Sequence, residues 1–475
     1  MRVLSLETST SSAKALVYDD ALGVVATAAE PFGADIAHPG QQDAAGVHAA
    51  LLRVGSRVAR GQQIDAIGLC STWHSMCVCD DAFTPVTPVY TWEYAQAAPL
   101  SARMRQDAAL TERLYRDTGC MPNITYPRQT LLYLREQGLT LDNRRLISQG
   151  AYSFLRMTGR YQETVNTQSG GGFIELATQR YDPHVLALLG IGQSQLGELV
   201  TYRDAAPLTE QDASALGLPP GIPVVPAHAD GGLNQIGSGC AMPGHMTLSV
   251  GTSAAMRLTA QQPVLAPHHE TWCYCGAEGF IAGAAVAGAG NCVNWFREEM
   301  LSGHLSFEDL EWPEDAPPRE APPVFLPFLY GERCPGWRDD RLAGFVEVSW
   351  RHGPRGLYLA LRMGILFNML QCYGPLTDML GQPKDILVSG GILNAPRWCQ
   401  MLVDILNHPV RLARTHDASL MGAAVLALHA AGACADISAF RGEDEEGIDV
   451  LPVAENVLWY RAQYDRYLDW YARAQ

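Results

Sequence analysis

The sequence predicts an α/β protein of two domains on a duplicated plan, and three observations carry that prediction. Its 475 residues exceed what one hydrophobic core usually organises, since cores stop growing near about 250–300 residues. Short apolar runs alternate with stretches of helical periodicity, and the pattern restarts after Asp230. One local pattern also occurs twice: "LSLETSTSSAKAL" from Leu4 to Leu16 and "LSVGTSAAMRL" from Leu248 to Leu258 are each an apolar run broken by small hydroxyl or glycine residues. Such a turn gathers backbone amides and hydroxyls in one place, which holds phosphate without many cations. Taken alone, either turn is first of all a hairpin.

In chain order, "RVLSLET" and "AKALVYDD" read as a strand pair, "VHAALLRVGSRVARG" as an amphipathic helix and "IDAIGLCST" as a further strand. "DAALTERLYRDTG" is helical, with Gly119 placed to end it. "GIPVVPAHADGG" reads as a buried strand running into a glycine turn. The second half offers "MTLSVGTS" and "FIAGAAVAGAG", a helical "NCVNWFREEM", an acidic, proline-rich stretch from Glu308 to Pro323, and a strand "PVFLPFLYG". A long helix "RGLYLALRMGILFNMLQCYGPL" then leads to the strand-loop-helix "DILVSGGILNAPRWCQMLVDIL". "SLMGAAVLALHAAGA" is a small-residue helix suited to close packing, and "RGEDEEGID" a solvated loop. The domains expected are residues 1–235 and 236–475.

A net charge of −16 argues against nucleic acid as a partner, because counterion release needs a basic surface. No apolar run reaches the roughly eighteen residues of a membrane span, and Met1 opens straight into a strand-like run, so a cytoplasmic protein without a membrane partner is expected. Of the twelve cysteines, the close pairs Cys77/Cys79 and Cys273/Cys275 are spaced by one residue on strand-like segments. That spacing suits buried reduced thiols better than zinc, although His74 lies near the first pair.

The commoner phosphate-binding machines are excluded by residues. Lys14 and Lys384 are the only lysines, and neither "SSAKAL" nor "QPKDIL" completes a Walker A loop. His-Arg-Asp, Asp-Phe-Gly and Gly-x-Ser-x-Gly are absent. "GAAVAGAG" lacks the order and the acidic residue of a dinucleotide fingerprint.

Six segments in order, "LSLETSTSSAKALVYD", "TWHSMCVCDDAFTPVTPVYTW", "HADGGLNQIGSG", "LSVGTSAAMR", "FLPFLYGERCPGW" and "LVSGGILNAPRWCQMLVDILNHPV", resemble the FGGY carbohydrate kinases over nearly the whole length. The resemblance implies a duplicated actin/hexokinase/Hsp70-like (ribonuclease H-like) fold, with its active site in the cleft between the domains. It implies ATP and Mg2+ as cofactors, a small sugar as the other partner, and a homodimer as the assembly to consider. Thr10, Ser11 and Ser12 would approach the nucleotide phosphates from one domain, and Gly251, Thr252 and Ser253 from the other.

The remaining roles follow the same resemblance. Asp230 matches the catalytic aspartate, the carboxylate that aligns the acceptor hydroxyl and takes its proton. Glu7 stands where an aspartate near the magnesium is usual, and Ser9 where glycine is commoner. Gly288 and Gly290, Gly390 and Gly391, and Asn394 fall at nucleotide-facing positions. Trp73 and His74 match the substrate-contacting stretch, with Trp92 and Glu93 as weaker candidates. Relatives commonly carry Trp-x-Asp-x-Arg, whereas this chain has Trp92, Glu93, Tyr94, Ala95 and Gln96, so an arginine that could partner a carboxylate is missing. "WHS" at Trp73 to Ser75 looks more like gluconate kinases than the "MHG" usual in xylulose kinases. The reading is therefore an ATP-dependent kinase of an aldonate or ketose. Its rival is a non-catalytic sugar or nucleotide sensor on the same fold, which would have no need of Asp230.

Overall fold

The computed structural model describes residues 1–313, 320–414, 417–442 and 448–474. Its first sheet begins with the meander β1 (Arg2–Thr8), β2 (Ser12–Asp19) and β3 (Gly23–Pro31). Helix α1 (Ala44–Ala59) follows, capped by Asp43, whose carboxylate accepts the Gly46 N–H. Strand β4 (Ala66–Ser71) then pairs parallel with β1. After helix α2 (Gln149–Thr158), the short edge strand β5 (Ala206–Pro207) and β6 (Pro223–Ala229) complete the order β5-β6-β4-β1-β2-β3. Every residue of β4 is buried, as a parallel strand covered on both faces requires.

The second sheet repeats the plan. After helix α3 (Asp230–Gly237) come β7 (His245–Val250), β8 (Ala254–Ala260), β9 (Trp272–Cys275) and β10 (Phe280–Val286). The antiparallel run β7, β8, β10 mirrors β1, β2, β3. Helix α4 (Gly290–Trp295) and the long α5 (Pro354–Leu380) precede β11 (Asp385–Ser389), α6 (Pro396–Leu406), β12 (Val410–Leu412), α7 (Ala418–Ala430), β13 (Ile448–Val450) and α8 (Ala454–Arg473). The sheet order is β9-β10-β8-β7-β11-β12-β13, with β11 parallel to both β7 and β12. In each half a three-stranded antiparallel run is thus extended by two parallel strands.

Helix α7 crosses between the halves. Its Leu420, Met421 and Ala424 share a core with Val3, Leu16 and Ala66, while Ala423, Val425 and Leu426 pack with Cys70, Val225, Leu233 and Ile236. The small residues of this segment let a helix from late in the chain seat directly on the first sheet.

Three local expectations need correction. Asp230, Gly231 and Gly232 form the first turn of α3 rather than a loose glycine turn. Gly231 and Gly232 are needed because a Cβ would meet Trp73 at 2.7 Å and Asn166 at 2.9 Å. The strand expected in "PVFLPFLYG" is only Val324–Leu326, and the helix from Gly290 ends in a π turn over Phe296–Met300. Most of "RGEDEEGID", and residues 314–319 of the proline-rich stretch, lie outside the described residues. Gly119 does end its helix, at φ 71°, and a Cβ there would also lie 2.0 Å from the Cys273 carbonyl of the other half. Among the described residues no helix is long and apolar enough to cross a membrane.

Candidate active site

Asp230 emerges where β6 ends and α3 begins, with Arg257 of the second half acting on its carboxylate. Its Oδ1 accepts the Gly231 N–H at 2.7 Å, and the Trp73 N–H also reaches the carboxylate. Burial raises the carboxyl above its ordinary value, while Arg257 and these N–H groups act against that rise. Asn166, which carried no signal in the sequence, locks the junction: its side chain accepts the Ala229 N–H at 2.9 Å and donates to the Cys275 carbonyl at 2.8 Å. Its own carbonyl takes the Trp73 indole N–H at 2.9 Å.

The Trp73 ring, read as a stacking face for sugar, is only 4% exposed and lies against Tyr274 at 4.8 Å and Trp272 at 6.0 Å. What this residue brings to the cleft is its backbone N–H. His74 is placed differently. Its Nδ1 lies 2.6 Å from the Gly170 carbonyl, and a carbonyl only accepts, so Nδ1 carries the hydrogen. Burial and the nearby Arg333 and Arg257 press its pKa down to about 3, keeping the ring neutral. Nε2 is then a free acceptor held among Trp73, Tyr126 and Tyr274. His74→Ala is expected to weaken sugar binding by about tenfold, the scale of a lost buried hydrogen bond with its partner left unpaired, with ATP affinity retained. Calorimetric titration checks both, and unaltered sugar binding would make His74 a packing residue.

The first turn is built by Ser9. Its Oγ accepts the Ser12 N–H at 3.1 Å and donates to the Ser12 carbonyl at 3.0 Å, so the serine found where glycine is commoner acts as a staple. Gln42 bridges the Ser9 and Thr10 carbonyls at 3.0 and 2.9 Å. The Trp92 indole donates to Thr10 Oγ1 at 3.2 Å, which leaves the Thr10 hydroxyl hydrogen to point at an anion. Ser11 is exposed at the tip, Ser12 opens β2, and Glu93 is exposed beside Trp92.

The second turn is closed by Gly251 N–H donating to the Ser253 carbonyl at 2.9 Å, with Thr252 exposed at its tip. Gly290 and Asn291 donate to the Gly251 and Thr252 carbonyls at 2.9 and 3.1 Å, fixing the turn to the start of α4. A cleft of about 820 Å³ opens here, lined by Gly251, Thr252, Gly290, Gly391 and Asn394 among others. Gly288 is set behind it, where a Cβ would meet the Pro327 carbonyl at 2.3 Å. Gly390, at φ 94°, lies against the Val250 carbonyl and brings β11 close to β7. Tyr358, Arg397 and Trp398 also line the cleft. Sequence reading missed them because Tyr358 and Trp398 sit in helices whose periodicity reads as core.

Glu7, at the end of β1, is buried and accepts the Ser419 hydroxyl at 2.8 Å. Burial raises its carboxyl, Lys14 and Ser419 oppose this, and Asp230 and Asp417 add to it. Lys14 itself pairs with Asp417 at 3.2 Å. Among the described residues no cluster of three or more His, Cys, Asp or Glu is arranged as a metal site. A magnesium ion that arrives with nucleotide needs only one or two carboxylates, its other ligands being water and phosphate, and Glu7 beside Asp230 fits that demand.

A duplicated α/β fold with a hydroxyl-rich turn from each half and a partly buried carboxylate at a strand-to-helix junction defines a phosphotransferase that works across a cleft. The profile of the N-terminal domain of the FGGY family of carbohydrate kinases matches residues 2–237, and that of the C-terminal domain matches residues 246–431. The chain belongs to that family, whose members transfer phosphate from ATP with Mg2+, and this decides for an enzyme over a sensor. It is 23% identical to a gluconokinase of Bacillus subtilis (strain 168), covering 90% of this chain and 88% of that one. It is also 23% identical to a xylulose kinase of Klebsiella pneumoniae, over 85% and 84%. A crystal structure of gluconate kinase from Lactobacillus acidophilus superposes with a TM-score of 0.92 at 23% identity, covering 100% of this chain and 98% of that one. Xylulose kinase of the same organism gives 0.90 at 23% identity, over 98% and 97%.

Proposed function

We propose that this protein phosphorylates a hydroxyl of a small gluconate-like or xylulose-like sugar, with Asp230 as general base. The observation that carries the reading is the position of Asp230, partly buried in the first turn of α3, with the Trp73 N–H of the first half and Arg257 of the second acting on its carboxylate. Its ionised carboxylate orients the acceptor hydroxyl and takes the proton as the oxygen attacks the γ-phosphorus. His74 Nε2 accepts a second sugar hydroxyl and fixes which carbon faces the donor. The hydroxyls and amides of residues 10–12 and 251–253 hold the phosphates in line. Magnesium, when bound with the nucleotide near Glu7, neutralises phosphate charge. Arg333 of the second half lies over the Trp92 ring of the first at 5.9 Å, a contact across the cleft that favours closure and exclusion of water.

We assign the sugar site and first phosphate turn to residues 1–235 and nucleotide binding to residues 236–475. A cytoplasmic location is our reading of twelve free thiols, eleven of them buried. Sedimentation tests for the homodimer. The function is tested by a coupled ADP-release screen over gluconate, xylulose, ribulose, glycerol and erythritol: turnover of one sugar supports it, and turnover of none removes it. Thr10→Val and Thr252→Val keep shape and delete a hydroxyl. Each is expected to weaken ATP by about ten- to a hundredfold, the net worth of one hydrogen bond to a charged group, without changing sugar affinity measured alone. An effect of either on sugar binding only would refute the two-sided phosphate clamp.

A further inference from the structure

Two arginines of the second half converge on the sugar side of the cleft without an acid of their own. Arg257 lies on β8, about 10 Å of strand inward from the phosphate turn, at roughly 3.3 Å per residue. Its Nε comes within 3.0 Å of where a Gly231 Cβ would stand, next to Asp230, and Nη1 reaches only the Ser249 hydroxyl at 3.4 Å. Arg333 belongs to the loop that crosses to Trp92. Both are partly buried, and each has its Nε sealed from solvent with no hydrogen-bond partner. Neither forms a salt bridge among the described residues, whereas the adjoining acid Glu332 is already paired with Arg341 at 2.8 Å.

The charges do not balance without a ligand. Arg257 and Arg333 repel one another and both act on His74, which stays neutral. Asp230 is the one carboxylate acting on Arg257, and a general base must stay free to take a proton. Two partly desolvated cations against one carboxylate leave an excess positive charge, which is costly unless a bound anion meets it. In the kinase reading the nucleotide phosphates are met by the hydroxyl turns. Guanidinium groups are planar forks that match a carboxylate in two-point fashion.

Building on the kinase reading, we infer that Arg257 and Arg333 grip the carboxylate of a sugar acid, so that the substrate is an aldonate rather than a ketose or polyol. The arginine missing after Trp92 is thereby replaced from the opposite half of the molecule. The aldonate binds by its acid end between the two arginines and extends past His74, presenting a distal hydroxyl to Asp230.

The test compares gluconate with glucitol, which differ only in carboxylate against alcohol at one end. Titrated without nucleotide, the full-length protein is expected to bind gluconate at least about tenfold more tightly, the scale of one charge-assisted bond. Arg257→Met and Arg333→Met should each weaken gluconate by about tenfold or more and leave glucitol within about twofold, with Arg257→Lys recovering part of the loss. Thermal midpoints and ATP titration of each variant show whether it is folded. Equal binding of the two ligands by the parent protein overturns the proposal, as does a loss of ATP affinity in place of gluconate affinity. Phosphorylation of xylulose with no binding of gluconate sinks the aldonate and spares the kinase, whereas gluconate binding without transfer to any hydroxyl does the reverse.

Discussion

Asp230→Asn is expected to lower turnover by about two to four orders of magnitude, the range for loss of a positioned general base in the proposed role, and to leave ATP affinity in place. The amide keeps the shape of the carboxylate and can still accept the Gly231 N–H, which is 2.7 Å away, so the start of α3 stays intact. Steady-state kinetics beside nucleotide titration check the outcome, and a variant retaining a tenth of parental turnover would take Asp230 out of the role. The pH dependence gives a second reading of the same group. In the proposed role Asp230 works only when ionised, and burial holds its carboxyl above the ordinary value. Activity is therefore present above the raised pKa and lost as pH falls through it, earlier than for an exposed aspartate. Arg257 restrains that rise, so in Arg257→Met the acid limb of kcat/KM moves to higher pH.

What the sequence made legible was the part governed by local pattern. The repeated turns, the strands around them, α1 and the long α5 follow from periodicity and small-residue punctuation, and Asp230, Thr10 and Thr252 follow from a resemblance that those same turns carry. What escaped depends on contacts between distant segments. Asn166 looks like any polar residue in "TVNTQSGG", yet it ties β6, Trp73 and β9 together. Arg257 sits on an alternating strand where an arginine reads as solvent-facing, and only the second half's position against Gly231 makes it a cleft cation. Trp73 errs the other way: beside a histidine it suggests a sugar platform, while its ring closes the core between the halves.

The seating of α7 is the second place where one atom has a large effect. A Cβ on Gly422 would stand 2.1 Å from the Leu233 carbonyl of α3, and one on Gly237 would stand 1.9 Å from the Ala418 carbonyl of α7, so the two helices cross backbone to backbone. Gly68 of β4 makes the same approach to the Ala423 carbonyl at 2.1 Å. Alanine in a helix is favoured over glycine by about 1 kcal/mol, but an overlap with a backbone carbonyl cannot be relieved by rotating a side chain and costs about 1–3 kcal/mol or more. The overlap wins, and Gly422→Ala is expected to destabilise the protein by about 2 kcal/mol. Gly356, in α5, has nothing within 4 Å of a new Cβ, so Gly356→Ala should gain about 0.5–1 kcal/mol from the same propensity. The two variants thus differ in sign, and denaturant or thermal melts read the difference. Ser419, which donates to Glu7 at 2.8 Å, rides on the same helix, so a displaced α7 also disturbs the carboxylate proposed to lie near the phosphates. Gly422→Ala should therefore lower ATP affinity along with stability, and a fully stable Gly422→Ala protein would show that the crossing has room the close approach denies.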